Sequence, residues 1–157
     1  MFLLPVYNIL NTVSLRKKTG EKMADRKERA AVLHASGYNC AQSVACVFAE
    51  DFGFDADEVY RLTEGLGLGM GNMECTCGAV SGAVAAAGMK NSDLSRKGKT
   101  KAGTYALARQ INEKFRQKNG SVICADLKGV KTGTVLRSCP GCIDDAVEIA
   151  EEVLGLK

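Results

Sequence analysis

The chain has 157 residues, 46% of them hydrophobic and 25% charged, enough for one domain with an apolar core and unlike the composition of a disordered chain. A single histidine excludes any zinc site that needs two or more histidines from this chain, and no apolar run approaches the roughly 20 residues of a membrane-spanning helix. The formal charge of +3 sits entirely in residues 1–22, where Arg16, Lys17, Lys18 and Lys22 face one acid, Glu21.

The first 22 residues fit the rest of the chain poorly. Met1–Leu15 begins like a signal peptide, but it lacks an initial positive region and a small-residue cleavage site, and Pro5, Asn8, Asn11 and Thr12 break it. Gly20-Glu21 can be encoded by GGA-GAA, a purine run of the ribosome-binding kind just before Met23. Translation is therefore expected to start at Met23, with residues 1–22 a poorly structured extension and 23–157 the cysteine-containing domain. The expected compartment is the reducing cytoplasm, where clustered cysteines are more often catalytic or metal-binding than structural disulfides. Seven cysteines also exclude a fully paired framework within one chain.

Helical signals dominate from there on. A first helix is expected over Ala24–Ser36, stopped by Gly37. Asn39 is an N-cap for a second helix to about Phe52, with the stripe Val44, Val47, Phe48 and Phe52. Asp55 caps a third over Ala56–Leu66, with acids in its first turn as the helix dipole prefers. A fourth runs from near Cys77 to Met89. A long basic fifth covers Lys99–Lys118, with core positions Tyr105, Ala108, Ile111 and Phe115. Residues 121–138 read as irregular, with a short extended piece near Val130–Leu136. A sixth helix starts at Cys139-Pro140 with the stripe Ile143, Ala146, Val147, Ala150, Val153 and Leu154. No run alternates long enough for a convincing strand. The expected fold is all-α, an irregular bundle of five to six helices in a single domain.

The charges segregate along the chain. Residues 50–74 carry seven acids against Arg61, and residues 90–137 carry twelve bases against three acids. No nucleic-acid motif accompanies the bases, so they are taken as a solvated face and no nucleic-acid partner is expected.

The sharpest local feature is Cys139-Pro-Gly-Cys142. Proline suits the first helical position, which puts Cys139 at the N-cap, where the helix dipole stabilises a thiolate; Arg137 adds to that field. Cys139 is expected to alkylate faster than Cys46 at neutral pH. The same spacing serves a dithiol oxidoreductase, in which the second cysteine resolves a mixed disulfide, or half of a zinc or iron–sulfur site. Cys77, in Cys75-Thr-Cys77-Gly-Ala-Val-Ser-Gly82, also stands at a helix start. Gly78, Gly82 and Ala86 form a small-residue face for close helix approach. Cys40 follows the N-cap Asn39, Cys124 lies in the irregular segment, and Cys46, beside Gln42, Ser43 and Glu50 on the more polar face, reads as a bystander. Gly67-x-Gly69-x-Gly71 follows no strand and lacks the dinucleotide spacing, so it is expected to be a flexible loop passing close to the cysteines. His34 has no cysteine or carboxylate near it in sequence and reads as an ordinary histidine.

Taken together, Gly37-Tyr-Asn-Cys40-Ala-Gln, Cys77-Gly-Ala-Val-Ser-Gly82, Cys124-x-x-Leu127-x-Gly129 and Cys139-Pro resemble the C-GCAxxG-C-C family of small proteins described as redox-active, over roughly residues 25–155. The resemblance implies Cys40, Cys77, Cys124 and Cys139 as the signature cysteines, with Cys46, Cys75 and Cys142 additional to them. It implies a bacterial or archaeal protein, a functional link to a transporter, and no assigned reaction.

Two chemistries remain open on the residues. One is thiol–disulfide or electron-transfer chemistry at Cys40, Cys77, Cys124, Cys139 and Cys142, with Cys139 as attacking thiolate, Cys77 or Cys142 as its partner, and no cofactor required. The alternative is a zinc ion or iron–sulfur cluster on Cys40, Cys77, Cys124 and Cys139. A redox partner is implied without being identified, and small-residue helix faces are compatible with a homodimer.

Overall fold

The computed structural model describes residues 25–157, so the N-terminal extension and the start at Met23 lie outside the described residues. Asp25 accepts from the Glu28 N–H at 2.8 Å and opens α1 (Arg26–Ala35). Gly37, with φ +103°, ends that turn. Asn39 then forms a capping box: its side chain accepts from the Gln42 N–H at 3.0 Å while Gln42 Oε1 accepts from the Asn39 N–H at 2.9 Å. This box starts α2 (Cys40–Ala49) and makes Cys40 its first residue.

Helix α2 is the central element, with every residue from Ala41 to Ala49 buried. It carries no charge, and its polar side chains are satisfied internally. Gln42 Nε2 donates to Tyr60 O at 3.1 Å and Ser43 Oγ donates to Asn39 O at 2.8 Å. The polar face expected for Cys46 is therefore absent: Cys46 is buried, with its thiol 3.8 Å from Ala56 O. A 3₁₀ turn, Glu50–Phe52, leads to α3 (Ala56–Thr63), capped by Asp55, and a second 3₁₀ turn, Glu64–Leu66, follows it.

The longer helices after the glycine-rich segment are α4 (Gly78–Asn91) and α5 (Lys101–Asn119). A four-residue α6 (Cys124–Leu127) and α7 (Cys139–Val153) complete the chain. Among the described residues there are thus seven helices rather than five to six, because Cys124–Leu127 closes a helical turn of its own. No strand forms there. Val130–Leu136 is a series of turns, and the only extended pairing among the described residues is an isolated antiparallel bridge between Thr76 and Ile123. No described helix is long and apolar enough to cross a membrane.

Helices α2 and α4 make the most extensive helix pair. The small-residue face of α4 explains it: a Cβ on Gly82 would lie 2.5 Å from Ala41 O, and one on Gly78 would lie 3.2 Å from Ala41 N. Helix α7 closes the bundle against α1, α2, α4 and α5. One cluster joins Val44, Val47, Phe48, Val80, Ile111, Phe115, Leu127, Ile143, Val147 and Leu154. Tyr105, expected in this core, is 60% exposed, since α5 lies at the edge and buries fully only Ile111 and Phe115.

A candidate site built from cysteines at four helix N-termini

Four helices begin at the same end of the bundle, each with a cysteine in or beside its first turn. Cys40 opens α2, Cys77 is the N-cap of α4, Cys124 opens α6, and Cys139 and Cys142 share the first turn of α7. The structure brings these five cysteines around one cavity of about 160 Å³. Cys46 lies apart in the core, and Cys75 is exposed.

Backbone pairing sets much of this geometry. Cys77 N–H donates to Val122 O at 2.7 Å, Cys124 N–H to Cys75 O at 3.0 Å, and Ala125 N–H to Met73 O at 2.9 Å. These bonds hold the entry to α4 against the entry to α6. Gly69 packs on top with φ +57°, where a Cβ would stand 2.7 Å from Cys124 Cβ and 2.9 Å from Cys75 O. The glycine-rich segment thus passes close to the cysteines because nothing larger fits. Leu68 (φ 52°) and Met70 (φ 60°) share this left-handed backbone, which costs roughly 1–2 kcal/mol for each such side chain.

The α7 N-terminus departs from expectation by one residue. Ser138 is the N-cap, its side chain accepting from the Gly141 N–H at 3.2 Å, so Cys139 is the first helical residue. Arg137 does not serve as a free positive charge. It donates to Asp145 through Nε at 2.9 Å and Nη2 at 3.1 Å, and Lys118 meets the same buried carboxylate at 2.8 Å. The cation at Cys139 is instead Lys128, whose Nζ lies 3.0 Å from Cys139 Sγ. This bond is the leading cause of the raised Lys128 pKa. Lys128 was missed in the sequence because eleven residues and a run of turns separate it from Cys139.

The five thiols are not equivalent. Cys77 and Cys142 form one side-chain pair, 5% and 2% exposed; Cys40 and Cys139 form a second that is only half-buried. The bond from Cys142 lowers Cys77 to about 7 against the cost of burial, helped by the field of the Ala79 and Val80 N–H groups and by Lys128. The sulfur of Cys77 makes no short capping bond of its own. Cys142 is driven well up by the neighbouring Cys77 and by burial, and its thiol donates to Arg137 O at 3.9 Å. Burial, then the neighbouring Cys139 and Cys77, push Cys40 up to about 12, and burial raises Cys124. A helix N-terminus thus acts on the thiol of Cys77, the N-cap of α4.

His34 also lines the cavity. Its Nδ1 is 2.9 Å from Tyr38 O, a group that can only accept. Nδ1 therefore carries a proton and donates to that carbonyl. Sequence distance hid this placement, since the turn at Gly37 folds α1 back beside α2. Among the described residues, no three His, Cys, Asp or Glu side chains stand together in a way that could hold a metal ion.

A family model described as "Putative redox-active protein (C_GCAxxG_C_C)" matches residues 38–153. The chain belongs to this family. The match spans every element from the Cys40 cap to the end of α7. No curated protein and no solved structure gives a significant match.

Proposed function

We propose that this member of the C-GCAxxG-C-C family is a cytoplasmic dithiol protein that exchanges with small disulfides, with Cys77 as nucleophile and Cys142 as resolving thiol. The observation that carries this is the position of Cys77 as the N-cap of α4, lining the same cavity as Cys142 from the first turn of α7, with the Cys77 thiol lowered by Cys142 and by the α4 N-terminus. The nucleophile is thus Cys77 rather than Cys139. Cys77 thiolate attacks a small disulfide R–S–S–R, forming Cys77–S–S–R and expelling RS⁻. Cys142 then loses its proton and attacks Cys77 Sγ, expelling the second RS⁻. The products are two RSH, once protons are taken up, and a Cys77–Cys142 disulfide. The cavity is close in size to one of ~150 Å³ that holds benzene, which suits a substrate of six to eight heavy atoms.

Oxidation of the reduced protein with 2-hydroxyethyl disulfide, followed by peptide mapping, tests this. Cys77–Cys142 should be the first disulfide to form. The four-cysteine metal site is the competing chemistry. Near-stoichiometric zinc or iron in anaerobically prepared protein, with Cys40, Cys77, Cys124 and Cys139 protected from alkylation, would overturn the dithiol assignment in its favour.

A further inference from the structure

We propose that Cys40 and Cys139 form an outer dithiol that carries electrons from a folded dithiol protein to the buried Cys77–Cys142 disulfide, so that the four thiols act as a two-step relay. This rests on Cys77 and Cys142 being the inner redox couple. The two pairs border one cavity but differ in access. Cys77 and Cys142 are 5% and 2% exposed, whereas Cys40 and Cys139 are half-buried. Disulfide exchange requires the attacking sulfur to reach its target directly. A folded protein is far larger than a space of about 160 Å³, so its dithiol meets the half-buried outer pair first.

The first turn of α7 connects the pairs. Cys139 and Cys142 are three residues apart and neighbours on one helix face. Lys128 Nζ stands 3.0 Å from Cys139 Sγ, a cation beside the attacking sulfur. Cys139 thiolate attacks Cys142 Sγ, breaking the Cys77–Cys142 bond. Cys77 leaves as a thiolate facing the N-terminus of α4. Cys40 then attacks Cys139 Sγ, closing Cys40–Cys139, and its proton passes to the released Cys142 sulfur. One negative charge and one thiol proton are present before and after, and two electrons have moved inward. The partner's dithiol reduces Cys40–Cys139 and becomes a disulfide itself.

The test uses full-length protein oxidised to the Cys77–Cys142 form, then reduced by either reduced thioredoxin, as a protein dithiol, or trimethylphosphine, as a four-heavy-atom reductant. In Cys40→Ser and Cys139→Ser, reduction by thioredoxin should slow at least tenfold while reduction by the phosphine stays within twofold of wild type, which also reports an intact fold. Cys40→Ser should further accumulate a Cys139–Cys142 disulfide, because the second step is blocked. Lys128→Met, which removes no sulfur, should slow the thioredoxin reaction severalfold. Wild-type thioredoxin rates in both cysteine variants would overturn the relay and leave the inner couple standing. Failure of the wild-type protein to form Cys77–Cys142 at all would overturn the inner couple, and the relay with it.

Discussion

Selective alkylation of Cys77 tests the electrostatics of the site most directly. Cys77 is lowered to about 7 and Cys46 raised to about 12. At pH 7 about half of Cys77 but only about one part in 10⁵ of Cys46 is then thiolate, the form that reacts. Thiolate nucleophilicity falls with pKa along a Brønsted slope of about 0.4–0.5, which offsets roughly two of these nearly five decades. Cys77 should thus react on the order of several hundred times faster than Cys46. Both sulfurs are buried, so exposure alone predicts no such gap. The assay is timed treatment of the reduced protein with iodoacetamide, quenched and read by peptide mass spectrometry across pH 5 to 10. The Cys77 rate should level off above about pH 7, while that of Cys46 should still rise at pH 10. Rates within threefold of each other at pH 7, or a Cys77 midpoint near the ordinary thiol value of about 8.5, would refute the claim that Cys142 and the α4 N-terminus stabilise this thiolate.

Two further outcomes concern the frame around the site. Gly82→Ala puts a Cβ 2.5 Å from Ala41 O; forcing α2 and α4 apart outweighs the better helix propensity, for a net loss of about 2 kcal/mol. Gly88→Ala, in the same helix with nothing within 4 Å, should instead gain about 0.5–1 kcal/mol; urea titration of both variants under reducing conditions compares them. Asp145 is buried, and although burial acts to raise its pKa, the bonds from Lys118 and Arg137 win and hold it below its ordinary 3.8. Its contribution is therefore complete above about pH 4 and lost as pH falls through the lower folded value. Asp145→Asn should cost about 2 kcal/mol at pH 7, with the gap to wild type closing toward pH 3 in the same titration.

Much of the chain's secondary structure was legible because local chemistry dictates it. The Asn39 and Asp55 caps, the Gly37 stop and the α7 stripe Ile143, Ala146, Val147, Ala150 and Leu154 act within one or two turns, and the structure uses each as expected. The Gly78/Gly82 face was equally readable, since a pair of glycines four apart permits close approach whatever the partner. Two misreadings have simple causes. Tyr105 fits an apolar stripe by spacing, but spacing cannot tell an edge helix from a central one. Cys46 looked polar beside Gln42 and Ser43 because their hydrogen bonds to Tyr60 O and Asn39 O exist only once α2 is surrounded.

Which residues could start helices, and that cysteines stand near those starts, is written in neighbouring residues of the chain. Packing of the helices is what brings four such starts to one cavity and sets Lys128 rather than Arg137 against Cys139. A cap acts over about one helical turn and is written in adjacent residues. A thiol's partner and charge environment depend on groups from other helices, 11 residues away for Lys128 and 65 for the Cys77–Cys142 pair, and only packing brings them within reach.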